Sequence, residues 1–171
     1  MKRIVADPKR CLACRACEVA CALAHAGTDD LFEALFARGE KPRIYIQAAG
    51  ELAVPLQCRH CEDAPCVRVC PSGALSRPDD AAPVVVRQEK CIGCAYCVQA
   101  CPFGVIQLSA EKGVVIKCDL CAKRQAEGLE PACVHACPVS ALAFEDADQG
   151  AKKARARTAA QAAAVAQDGG G

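Results

Sequence analysis

The stretch Cys91-Ile-Gly-Cys-Ala-Tyr-Cys-Val-Gln-Ala-Cys-Pro102 spaces four thiols by gaps of two, two and three residues and follows the last with proline. Three more quartets surround it. Cys11, Cys14, Cys17 and Cys21 repeat the same gaps. Cys58, Cys61, Cys66 and Cys70 open the middle gap to four residues, through Glu62-Asp-Ala-Pro65. Cys118, Cys121, Cys133 and Cys137 open it to eleven, Ala122 to Ala132. All sixteen cysteines of the chain are thereby used. A recurring unit of this kind is read before any single motif. Here the unit is a strand, a cysteine loop, a short helix and a strand, occurring four times.

The spacing selects the metal chemistry. Iron in a 4Fe–4S cubane takes soft thiolate ligands, one per iron, and a Cys-x-x-Cys-x-x-Cys loop wraps three corners. The cysteine three residues further on leaves the loop aimed at a neighbouring cluster, and in two-cluster ferredoxins it ligates that other one. Pro71, Pro102 and Pro138 follow the fourth cysteines and are expected to begin an outgoing helix, where a missing N–H costs nothing. Ala22 stands in that place after Cys21. Zinc sites also use Cys-x-x-Cys pairs, but they have no use for a third cysteine two residues later. Disulfides suit secreted scaffolds, and Met1-Lys-Arg-Ile-Val-Ala-Asp-Pro8 lacks the apolar run of a secretory signal. Four 4Fe–4S clusters are therefore expected, with the opened gaps forming protrusions where a redox partner docks.

Composition supports a metal-dependent core. Hydrophobic residues make up 53% of the 171, yet 35 of them are Ala and 16 are Cys, while Phe and Tyr total six and Trp is absent. Large side chains carry most burial energy, roughly 1.5–3 kcal/mol each. Bound clusters would make good the shortfall, because metal-binding free energy becomes folding free energy. The formal net charge of +1 and the scarcity of aromatics argue against nucleic-acid binding. No stretch approaches the ~20 apolar residues of a membrane span. A soluble, cytoplasmic protein is expected.

The expected fold class is α+β: two fused dicluster ferredoxin-like modules of short strands and helices, with a C-terminal Ala-rich helical tail. Strand-like pieces are Arg3–Asp7, Arg43–Gln47, Leu52–Leu56, Pro83–Arg87, Val105–Ser109, Gly113–Lys117 and Ala141–Glu145. Asp29–Arg38 reads as an amphipathic helix, with Leu31/Leu35 and Phe32/Phe36 at i,i+4 spacing. Residues 1–146 form the redox body and 147–171 the tail, whose strong helix formers bury little.

The chain resembles the four-cluster electron-transfer subunits that serve formate hydrogenlyase, carbon monoxide dehydrogenase-linked hydrogenase, formate dehydrogenase and tungsten aldehyde oxidoreductases. The likeness rests on Cys58-Arg-His-Cys-Glu-Asp-Ala-Pro-Cys-Val-Arg-Val-Cys-Pro71, on Phe103-Gly-Val-Ile106 after the third quartet, and on Lys117-Cys-Asp-Leu-Cys121. It implies a nested ligation. Cys11, Cys14, Cys17 and Cys137 would share one cluster, and Cys118, Cys121, Cys133 and Cys21 its neighbour. Cys58, Cys61, Cys66 and Cys101 would hold the third, and Cys91, Cys94, Cys97 and Cys70 the fourth. The first and fourth quartets then make one module (1–57 plus 111–146), and the second and third an inserted one (58–110). The spacings alone also permit sequential pairing, first with second and third with fourth.

The implied function is non-catalytic electron relay between a catalytic oxidoreductase subunit, such as a tungsten or molybdenum aldehyde or formate oxidoreductase, and another acceptor. Its competitor is a structural or assembly protein stapled by zinc or iron–sulfur centres. A relay with two ends could also associate head-to-tail into a homo-oligomer or filament. His25, His60 and His135 read as neighbours of the ligands, since every quartet already has four thiols. Lys117 and Arg59 are candidates to stabilise reduced clusters, and Tyr96 and Phe103 to shield clusters from water.

Overall fold

The structure is a computed structural model that describes residues 2–79 and 82–168. Eight short strands pair into four two-stranded antiparallel sheets. They are β1 (Lys2–Ala6) with β8 (Leu142–Asp146), β2 (Ile44–Ala49) with β3 (Leu52–Gln57), β4 (Leu75–Ser76) with β5 (Val85–Val86), and β6 (Gln107–Ser109) with β7 (Val114–Ile116). The fold is a mixed α+β, ferredoxin-like one. Each sheet joins the fourth cysteine of one quartet to the first cysteine of the next. β2–β3 lies between Cys21 and Cys58, β4–β5 between Cys70 and Cys91, and β6–β7 between Cys101 and Cys118. The two ends of the chain complete the cycle: β8 follows Cys137, and β1 precedes Cys11.

That closure is set by register. Ile4 faces Phe144 and Ala6 faces Leu142, and the Asp7 N–H donates to the Ala141 carbonyl at 2.8 Å. Cysteines 11 and 137 therefore leave the same end of one ribbon. The β4–β5 pair repeats the device: Leu75 faces Val86, and the Arg87 N–H donates to the Ala74 carbonyl at 2.8 Å, between Cys70 and Cys91.

The helices differ from the sequence expectation in where they start. α1 (Ala16–Ala26), α2 (Pro65–Arg68), α3 (Tyr96–Ala100) and α5 (Ala132–His135) each carry the third cysteine of a quartet and run toward the fourth. Pro71, Pro102 and Pro138 stop these helices rather than begin new ones, because proline has no N–H for an intrahelical bond. A tight turn follows, with the N–H groups of Gly73, Gly104 and Ser140 donating to the carbonyls of Cys70, Cys101 and Cys137 at 3.2–3.3 Å. After Cys21 no proline intervenes. Helix α1 accordingly runs through to Ala26 and ends at Gly27 in the left-handed region. In the eleven-residue gap of the fourth quartet lies α4 (Ala122–Ala126).

The expected amphipathic helix at 29–38 is also corrected. Asp30 Oδ1 accepts from the Phe32 and Glu33 N–H groups, and Glu33–Ala37 close into a π turn. Phe32 and Phe36 stack in solvent while Ala34 is buried, so the expected apolar stripe faces outward. The C-terminal helix α6 (Ala147–Asp168) lies against β8 and β1 at its base, where Lys153 pairs with Glu145. The tail's last three glycines, and Met1, fall outside the described residues.

Two apolar cores result. One gathers Ile4, Ile44, Ile46, Leu120 and Leu142 around Cys17, Cys21, Cys118 and Cys133. The other gathers Leu75, Val84, Ile106 and Val115 around Cys66 and Cys97.

Candidate cluster-binding sites

A backbone feature recurs in all four cysteine loops. The second residue after each leading cysteine has positive φ: Ala13 at 56°, His60 at 49°, Gly93 at 68° and Leu120 at 59°. The two regular loops add a second such residue, Arg15 at 59° and Ala95 at 60°. Left-handed residues turn consecutive amides toward one point and form concave anion sites. Only one of the four leading positions is glycine, so the repeat is nearly invisible in residue identity. Gly93 is further constrained, since a Cβ there would lie 2.6 Å from the Gly113 carbonyl oxygen.

The thiols converge in sets drawn from two quartets. One recess is lined by Cys11, Cys14, Cys17 and Cys137. A second is lined by Cys91, Cys94, Cys97 and Cys70. A third is lined by Cys58, Cys61, Cys66 and Cys101. The remaining thiols, Cys21, Cys118, Cys121 and Cys133, are all buried. Burial pushes the Cys133 thiol far above its usual range, and the charges of Cys21, Cys118 and Cys121 push it further. Cys118 is driven by burial to about 12, and Cys17 and Cys97 to about 11.

The donor chemistry fits iron–sulfur clusters. All sixteen cysteines are free thiols, and a bound metal deprotonates a coordinating thiol outright, which offsets the raised pKa of the buried ones. Backbone N–H groups already address the sulfurs, from Ala141 to Cys137 at 3.2 Å, Arg43 to Cys21 at 3.3 Å, Leu120 to Cys118 at 3.4 Å and Leu75 to Cys70 at 3.5 Å. At Cys70 burial raises the pKa, but the Leu75 N–H and the Ser72 hydroxyl outweigh it and draw the thiol down. His60, 1% exposed, lines the third recess with neither ring nitrogen bonded. A buried donor without a partner is costly, and a cluster sulfide is an acceptor of the right kind.

The other expected residues divide. His25 shares its Nδ1 with the Cys21 carbonyl at 2.7 Å and its Nε2 with Asp119 at 3.0 Å. Burial alone would lower its pKa, yet the bond to Asp119 and the contact of Nδ1 with the Cys21 sulfur at 3.7 Å hold it up at about 9. Asp119 also meets Arg43 at 3.2 Å, and the same two partners keep its carboxyl far below the usual range against the pull of burial. His135 is exposed. Arg59 lies over the Phe103 ring, 5.0 Å from its centroid, at the rim of the third recess. Tyr96 is 56% exposed and shields little. Sequence reasoning passed over the buried Glu40, which accepts from Lys112 at 2.6 Å and so ties the loop after α1 to the β6–β7 turn. Nothing in its local pattern marks it.

The opened loops also differ from expectation. The eleven-residue segment does protrude, but Cys118, Cys121 and Cys133 beside it are buried. The two exposed cysteines, Cys14 and Cys94, belong to the regular quartets.

Paired thiol loops, reciprocal fourth cysteines and short two-stranded sheets define an iron–sulfur protein of the ferredoxin type. Residues 50–147 match the 4Fe-4S dicluster domain, and the chain belongs to that family. It is 41% identical to an "Iron-sulfur protein" of Rhodospirillum rubrum, over 92% of this chain and 90% of that one. It is 41% identical to "Electron transport protein HydN" of Escherichia coli strain K12, over 84% and 87%. With "Thiosulfate reductase electron transfer subunit PhsB" of Salmonella typhi it shares 45%, over 84% of this chain and 74% of that one. Among the described residues no helix is long and apolar enough to cross a membrane.

Proposed function

We propose that the chain is a non-catalytic electron-transfer subunit that relays electrons through four 4Fe–4S clusters held by the crossed sets Cys11/14/17/137, Cys21/118/121/133, Cys58/61/66/101 and Cys70/91/94/97. The observation that carries this reading is the recurrent lining of a recess by three thiols of one quartet and the fourth of another. Sequential pairing, which would join Cys21 to the second quartet, receives no comparable support. When bound, each cluster supplies one-electron redox chemistry. The protein's own groups orient the thiols, exclude water from the inner set and donate N–H groups to sulfur, which tunes potentials more than ligand identity does. Each set has its full complement of four thiols, so none leaves an iron position open for substrate.

Two modules follow from the same ligation, and the two apolar cores support them. The inserted module, 58–110, shares the second core with β7, where Val115 packs. The partner would be the catalytic subunit of an oxidoreductase, the molybdenum and tungsten aldehyde or formate enzymes among the candidates. The names of relatives such as PhsB, an electron transfer subunit of thiosulfate reductase, support the class of partner. They lend no support to head-to-tail self-association.

Iron and acid-labile sulfide per chain, followed by an EPR-monitored reductive titration, tests the relay. Four reducible cubanes are expected. Fewer than three would leave a structural protein in which metal only staples the fold. Co-purification with a molybdenum, tungsten, nickel or flavin subunit would identify the partner.

A further inference from the structure

Lys117 follows β7 and stands directly before Cys118, and it is 2% exposed. Its Nζ donates to the Val84 carbonyl at 2.6 Å and to the Cys118 carbonyl at 2.7 Å. Val84 belongs to one apolar core and Cys118 to the other, so the ammonium sits at their seam. Among the described residues it makes no ion pair. The buried Glu40 is taken by Lys112 and Arg43, and Asp119 by His25 and Arg43.

An ammonium removed from water without a counter-charge costs several kcal/mol. Carbonyl dipoles offset part of that and leave the charge itself unmatched. Cubanes bound by four thiolates carry net negative charge and would supply the match. The lysine's field already reaches both cores: burial pushes the Cys66 and Cys118 thiols up, and Lys117 pulls against it at each. His60 adds no charge of its own, because burial and the nearby Lys117 hold it neutral, at about 3.

We propose that Lys117 is a positioning charge for the relay, raising the reduction potentials of the two inner centres (Cys21/118/121/133 and Cys58/61/66/101) above those of the two outer ones. Electrons entering at either end then collect in the middle. The proposal rests on the crossed ligation. Each reduction adds one electron, from a donor at an end of the chain, and makes or breaks no bond. The fixed ammonium stabilises the additional negative charge and needs no proton.

The test is a potentiometric EPR titration of the iron-loaded full chain, reduced with dithionite, as Lys117→Met and as Lys117→Gln. A dissolved dysprosium chelate broadens signals from exposed centres and so separates outer from inner. The two least broadened centres should lose at least tenfold in electron affinity, 59 mV for a one-electron couple. The outer two should move by less than a third of that. Equal movement of all four, or of none, overturns the proposal. Loss of iron from both variants also counts against it, because the lysine would then hold the clusters in place rather than set their potentials. Failure of the underlying ligation looks different: the unmodified chain would hold fewer than four reducible cubanes, or the chelate would broaden all of them alike.

Discussion

The regular quartets and the opened ones share a left-handed turn after the leading cysteine, yet they differ in whether a thiol reaches the surface. Cys14 and Cys94 reach the surface beside Leu12 and Ile92, which are 66% and 67% exposed. Three of the four thiols around the longest gap are buried, and Cys21, which the proposed ligation joins to them, is buried too. A short loop has no spare chain with which to cover its own sulfurs. A longer one need not expose them: Cys118, Cys121 and Cys133 are buried beside the protruding 122–130 segment. Under the proposed ligation, the two ordinary motifs with an exposed thiol would form the ends of the relay.

This contrast can be broken at its strongest point by serine. Cys133→Ser puts a hydroxyl into the first core, where the residue is 3% exposed, so loss of about four irons per chain should come with loss of secondary structure. Cys94→Ser should lose about as much iron and keep the fold. Iron analysis beside far-ultraviolet circular dichroism checks both, and equal unfolding of the two would end the distinction.

A smaller effect is expected at Ala22, which is 1% exposed inside α1. Ala22→Pro gives the first quartet the proline of the other three. It should stop the helix at Cys21, detach His25 and cost about 3 kcal/mol, read as a lower thermal midpoint of the loaded protein.

At the Cys94 end, Gly93→Ala should cost roughly 1–2 kcal/mol from its left-handed backbone, and more from the Gly113 carbonyl 2.6 Å from the new Cβ. Gly104→Ala, with φ of 61° but open space around it, should show the backbone cost alone. Equal midpoints for the two variants would mean that the close approach carries no weight.

The smallest effect is a pH dependence of the inner set. The pKa of His25 rises from 6.5 to about 9 in the folded chain, so its support is fully present below pH 6.5 and fades as pH climbs to 9. Iron release to a chelator should quicken across that window and then level off, and His25→Gln should flatten the rise.

The strand-like pieces flanking each quartet were legible from short apolar runs: Ile44–Ala49, Leu52–Gln57 and Leu142–Asp146 lie within two residues of where the pattern puts them. The two-residue strand at Leu75–Ser76 was not, being too short to show an alternation. The 29–38 segment misled because i,i+4 apolar spacing reports a helix but not which side of it faces the core. Here Ala34 faces the core and the phenylalanines face outward.

Sixteen thiols at fixed spacings determined by themselves that this chain binds iron–sulfur clusters, because ligand type and loop length are local properties. Whether a fourth cysteine turns to one neighbour or another depends on the β1–β8 ribbon, whose halves are separated by almost the whole redox body. The exposure of Cys14 and Cys94, and the seam that holds Lys117, likewise arise only when distant segments pack. Those are long-range outcomes, and no window of sequence contains both of the surfaces that produce them.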